Sequence, residues 1–153
     1  NDQFTEKELK HLLTMSFPDV RTKQYIEIRM GDSLPIDYMM GFLAFWKGIL
    51  YDKDNLDLLY NEIGNVNREN ISNIKAEVKK KGKKTSFNGR PLMDYYRKLL
   101  KLAQNALTDC EEEYLEDLFK MAANNLVPKD KTLKLKEKGK KKALEWCIGN
   151  NLV

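Results

Sequence analysis

Apolar positions recur at helical spacing along most of the chain. Thr5-Glu6-Lys7-Glu8 has the form of a capping box, a hydroxyl followed three residues on by a carboxylate, and Leu9, Leu12 and Leu13 follow on one helical face. This predicts a helix over 5–15, stopped by Pro18, because the residue before a proline is pushed out of the α conformation. Residues 23–30 alternate instead. Tyr25, Glu27 and Arg29 point one way and Ile26, Ile28 and Met30 the other, a period of two that predicts a strand over 23–30. No second segment alternates as clearly. A lone strand cannot satisfy its own backbone groups, so its partners are expected outside this chain or in a second copy of it.

Gly31 to Pro35 reads as a turn, with Asp32 or Ser33 capping a helix over 36–51. Tyr38, Met39, Met40, Phe42, Leu43, Phe45, Trp46, Ile49 and Leu50 cover most of its circumference, which predicts burial on all sides. Four more helices are expected: after Asp52 to Gly64, from Arg68 to Lys80, from Pro91 to Leu107 as the longest, and from Cys110 to Asn124. Lys79 to Thr85 reads as a charged loop. Beyond Val127-Pro128 lies a lysine-rich stretch, in which Ala143, Leu144, Trp146 and Ile148 suggest one short helix. The expected fold is therefore mainly α, a multi-helix domain with one or two short strands. Residues 1–128 form the helical portion that carries the strand, and 129–153 form a lysine-rich tail.

Composition narrows the class. Of 153 residues, 42% are hydrophobic and 33% charged, enough apolar material for one core. The longest mostly apolar run, Met39 to Leu50, contains Lys47 and is too short to cross a bilayer. Asn1-Asp2-Gln3 offers neither a basic nor an apolar leader region, so no signal peptide is expected. A single histidine and two distant cysteines, Cys110 and Cys147, argue against a Cys/His zinc site. They suit reduced thiols in a cytoplasmic protein. The net charge of +4 permits nucleic-acid binding without requiring it. Lys79–Lys84 and Lys129–Lys142 lack interleaved aromatics, so nucleic acid is an unfavoured partner and both stretches read as solvated surface. No glycine-rich phosphate loop or nucleophile elbow is present.

One constellation remains. The strand face sets Tyr25, Glu27 and Arg29 at i, i+2 and i+4. A carboxylate can ligate Mg²⁺, and a guanidinium can hold a phosphate or carboxylate with its fork of donors. On pattern alone an ordinary Glu27–Arg29 ion pair is the commoner reading. Arg21 and Lys23, just upstream, could aim cations at the same face or simply be solvated.

Three motifs in order then supply a resemblance. Phe17-Pro18-Asp19-Val20-Arg21, Tyr25-Ile26-Glu27-Ile28-Arg29-Met30-Gly31-Asp32 and Ala44-Phe45-Trp46-Lys47-Gly48-Ile49-Leu50-Tyr51-Asp52 resemble the corresponding segments of plant-type and proteobacterial glutamate–cysteine ligases. Weaker similarity continues through Thr85-Ser86-Phe87 and Asn125-Leu126-Val127-Pro128. Met30-Gly31 departs from the family's Gly-Ala.

The resemblance implies a C-terminal fragment of an α+β, glutamine-synthetase-like ligase. Such a ligase uses ATP and Mg²⁺ to phosphorylate the γ-carboxylate of glutamate, and the amine of cysteine then attacks. It implies Glu27 as a metal ligand, Arg29 as a catalytic residue contacting phosphate or the substrate carboxylate, and Arg21, Arg29 and Tyr25 as substrate-binding residues. The implied partner is the N-terminal remainder of the same enzyme, without which this chain is expected to be inactive. Apolar surface left uncovered would favour a homodimer. The rival reading is a helical nucleic-acid-binding or self-associating module.

Overall fold

The computed structural model describes residues 5–15, 18–22, 24–64 and 66–148, with the side chains at 10 and 13–15 excepted. Phe17 and Lys23, named above, lie outside the described residues. The chain divides into two compact units, Asn1–Asp32 and Ser33–Val153.

The first unit holds α1 (Glu6–Met15) and a hairpin of β1 (Val20–Thr22) and β2 (Ile26–Ile28). The capping box forms as expected. The Glu8 amide donates to Thr5 Oγ1 at 3.3 Å, and the Thr5 amide donates to Glu8 Oε2 at 2.8 Å. The strand is shorter than 23–30, and it is not alone. It pairs antiparallel with Val20–Thr22, in the register Val20 to Ile28, Arg21 to Glu27 and Thr22 to Ile26. The missing-partner argument for a fragment therefore falls. Three residues are too few for alternation to show, which hid β1. A hairpin this small is marginal by itself in water.

The second unit is built on α2 (Ile36–Leu50) and α5 (Leu92–Asn105), with α7 (Glu116–Ala123) laid across both. Its centre is Ala44, Ile49, Leu100, Ala103, Leu115 and Ala122, with Leu100, Ala103 and Leu115 fully buried. Gly41, Ala44 and Gly48 set a nearly bare strip along α2 that lets backbones approach. A Cβ at Gly41 would meet the Tyr114 carbonyl oxygen at 2.7 Å. The buried Asn55 amide donates to the carbonyls of Gly48 and Leu102, both at 2.9 Å. It thereby ties the C-terminal ends of α2 and α5.

Several expectations change here. α2, not the helix after Pro91, is the longest among the described residues. It is not buried on all sides: Met39 is 43% and Leu43 60% exposed, while Tyr38, Gly41, Ala44, Gly48 and Ile49 are the residues it buries. Its cap is Pro35, whose carbonyl accepts from Tyr38 and Met39, rather than Asp32 or Ser33.

The helix after Asp52 is α3 (Lys53–Ile63), and Asp52 Oδ1 accepts from the Asn55 amide. The supposed loop at 79–85 is instead the end of α4 (Arg68–Lys81) and a 3-10 turn over Gly82–Lys84. A second hairpin, β3 (Ser86–Phe87) with β4 (Arg90–Pro91), turns on Asn88 and Gly89. Both turn residues have positive φ, as a type I′ turn requires. The described residues thus carry four strands rather than one or two. The helix read over 110–124 is α6 (Asp109–Glu112), a 3-10 turn and α7.

The lysine-rich tail holds two helices, α8 (Pro128–Glu137) and α9 (Lys140–Ile148). Proline at the first position of α8 costs no hydrogen bond, and lysine is a good helix former. Asp130 fixes its start, accepting from the Val127 amide at 2.9 Å and from Lys83 Nζ at 2.7 Å. These bonds, the one to Lys83 foremost, hold the Asp130 carboxyl below its ordinary value of 3.8. A lowered folded value means stability that is present above pH 3.8 and is lost as pH falls through the folded value. Lys83→Met is expected to flatten the acid limb of a chemical-denaturation series relative to the parent chain. An unchanged acid limb would show that the pair contributes nothing.

Candidate functional site

The first hairpin gathers three of the sequence-predicted residues on one face. Antiparallel pairing sets Arg21 directly opposite Glu27. The Arg29 amide donates to the Asp19 carbonyl at 2.8 Å, which carries the register one pair further. By strand alternation Asp19, Arg21, Glu27 and Arg29 share this face. Glu27 Oε2 accepts from Arg21 Nε at 2.8 Å and lies 2.7 Å from its Nη2, while Arg29 Nε lies 3.9 Å from Oε1. One carboxylate thus sits between two guanidiniums. All three side chains are largely covered, with 20–30% exposed, so they attract more strongly than in open water. Tyr25 lies at the bend before β2 and is 60% exposed.

Asp19 was missed by pattern reading. It precedes the strand, and only the pairing register brings it to this face. Conversely, the pattern paired Glu27 with Arg29 along one strand. The shorter and better-aligned partner is Arg21, across the hairpin.

Chemically, this face can present guanidinium forks to an oxyanion while Glu27 fixes their orientation. Glu27 is the carboxylate of the cluster, and a carboxylate oxygen is a hard donor of the kind a divalent cation takes. Among the described residues no three His, Cys, Asp or Glu side chains converge on a metal position. Mg²⁺ commonly takes one or two carboxylates plus substrate phosphates, so the donor present fits one corner of such a site.

Elsewhere the charges are largely committed. Lys47 pairs with Glu111, whose carboxyl is held low by Lys47 and by the Thr108 hydrogen bonds. Lys81 pairs with Glu77, and Lys83 with Asp130. The lysine run at 79–84 is therefore partly neutralised within the fold, against the nucleic-acid reading. No helix among the described residues is long and apolar enough to cross a membrane. Both cysteines are exposed thiols.

The chain belongs to glutamate–cysteine ligase family 2 (GCS2), whose model matches residues 2–136. It is 31% identical over 134 residues to the chloroplastic glutamate–cysteine ligase of Solanum lycopersicum, covering 86% of this chain and 26% of that protein. It is 28% identical over 136 residues to glutamate–cysteine ligase A, chloroplastic, of Oryza sativa subsp. indica, covering 87% of this chain and 28% of that protein. With the Nicotiana tabacum enzyme it shares 29% over 137 residues, covering 88% and 26%. The chain thus spans about a quarter of the length of these curated relatives. Their names overturn the cytoplasmic expectation. Two distant thiols suit a reducing compartment but do not separate cytosol from plastid.

Proposed function

We propose that this chain is the C-terminal part of a plastid glutamate–cysteine ligase and supplies one wall of its active site from the first hairpin. The observation that carries the reading is the Arg21–Glu27–Arg29 cluster, in a chain that belongs to this family.

In the complete enzyme ATP transfers its γ-phosphoryl group to the γ-carboxylate of glutamate. The amine of cysteine attacks the resulting acyl phosphate, inorganic phosphate leaves, and γ-glutamylcysteine remains. Negative charge gathers on the transferring group, and preorganised cations stabilise it with little reorganisation. Arg29, beside Glu27 in the cluster, holds phosphoryl oxygens. Arg21, fixed by Glu27, holds a substrate carboxylate, and Tyr25 flanks the substrate. Glu27 would be the residue of this chain that holds Mg²⁺, and the ion would neutralise charge on the phosphates. The remaining carboxylates come from the N-terminal remainder, whose strands complete a glutamine-synthetase-like sheet.

The isolated chain, given ATP, Mg²⁺, glutamate and cysteine, is expected to form no γ-glutamylcysteine above an enzyme-free control. A chimera in which it replaces the matching segment of the Solanum lycopersicum enzyme is expected to form it. Turnover by the isolated chain would overturn the incomplete-site reading, and a well-folded but inactive chimera would overturn the assignment itself.

A further inference from the structure

A second candidate site lies wholly within the helical unit. Tyr38 at the start of α2, Met121 and Asn124 on and just beyond α7, Leu126, and Lys131 and Lys134 on α8 line a cleft of about 290 Å³ with a mostly apolar surface. That is near the lower end of small-molecule pockets. One wall is preorganised. The Tyr38 and Trp146 rings meet edge to face at 5.2 Å, and the Trp146 indole N–H donates to Thr132 Oγ1 at 3.1 Å.

The charges around the cleft do not balance. Asp117, Asp130 and Lys120 also line it. Asp130 is taken by Lys83 and the Val127 amide. Lys120 is answered by Glu116 at 2.8 Å and Asp117 at 3.4 Å. Lys131 lies 3.7 Å from the Trp146 ring centroid and 3.5 Å from the Tyr38 hydroxyl. Among the described residues neither Lys131 nor Lys134 forms an ion pair. Two unanswered ammonium groups therefore overlook an apolar floor. The Tyr38 phenol, held above its ordinary value chiefly by burial, stays protonated at neutral pH and remains a donor.

We propose that this cleft binds a small aromatic acid, its ring on Tyr38, Met121 and Leu126 and its anionic group between Lys131 and Lys134. Cation–π contact with the two rings holds the Lys131 ammonium in place, and of its three N–H donors one is directed to the Tyr38 hydroxyl. The apolar floor selects a ring, and the two lysines require an anion. Neither the family match nor the hairpin chemistry assigns this position, and the cleft belongs to the other structural unit.

The test is ¹⁵N-resolved NMR titration of the full chain with 1-naphthoate, its neutral counterpart 1-naphthalenemethanol, and inorganic phosphate. Naphthoate is expected to give saturable shifts centred on Tyr38, Asn124, Leu126, Lys131 and Lys134. Lys134→Glu, an exposed change, is expected to weaken it at least about tenfold, as loss of a hydrogen bond to a charged group does. Equal binding by the neutral alcohol or by phosphate alone would overturn the proposal. So would equal binding by a Lys134→Glu chain with an unchanged melting curve, or shifts centred on Met39 and Leu43.

Discussion

Replacing Arg29 by alanine in the chimeric ligase is expected to lower kcat by about 10²–10³, the usual loss when one preorganised donor to a developing oxyanion is removed. Arg29 suits that role because its guanidinium belongs to the cluster, with Nε 3.9 Å from Glu27 Oε1, and its fork of donors matches phosphoryl oxygens. Arg21 is committed to Glu27, with two nitrogens on one of its oxygens, which suits it to positioning a substrate. Arg21→Ala is therefore expected to raise KM for glutamate more than it lowers kcat. Arg29→Lys keeps the charge but loses the fork, so it should recover only part of the lost rate. Equal KM effects with untouched kcat at both positions would sink the assignment of Arg29 to the transferring group.

Much of this architecture was legible because its signals are local. The capping box at Thr5–Glu8, the Asp52 cap and the apolar run of α2 each depend on neighbours within a turn or two. Asn88-Gly89 was also legible and was overlooked. Asn-Gly between short extended segments is the strongest short hairpin signal, here bracketed by Ser86-Phe87 and Arg90-Pro91.

What stayed hidden is long-range or very short. β1 is three residues long and shows itself only through pairing. α8 reads as solvated lysines until Lys131 is seen against Tyr38, 93 positions away. The Arg21–Glu27 pair needs a register that composition cannot supply. The roles assigned to Arg21, Tyr25, Glu27 and Arg29 came from the resemblance. Alternation alone left Glu27 and Arg29 as an ordinary ion pair.

The other large effect is expected at Gly48, far in character from any chemistry. A Cβ there would lie 2.4 Å from the Ala103 carbonyl oxygen, 2.7 Å from its Cα and 2.8 Å from its carbonyl carbon. All three are backbone atoms, so no side-chain rotation can relieve the contact. α5 would have to withdraw from α2, opening the core at Ala44, Leu100 and Ala103, where Leu100 is fully buried. Withdrawal would also stretch the Asn55 bridge, whose amide spans Gly48 and Leu102.

Overpacking typically costs about 1–3 kcal/mol and sometimes more. With a broken buried bridge added, Gly48→Ala is expected to cost about 3 kcal/mol or more. In a domain of this size that lowers Tm by about 6–12 °C. Gly48→Val is expected to leave no cooperative transition. Gly64→Ala is the matched control. Its nearest neighbour would be 3.5 Å away and its φ is −54°, so the change is expected to be neutral or to stabilise by about 0.4–1 kcal/mol. Thermal melts followed by circular dichroism separate the two cases. If Gly48→Ala melted with Gly64→Ala, the close approach of α2 and α5 would not be what holds this unit together.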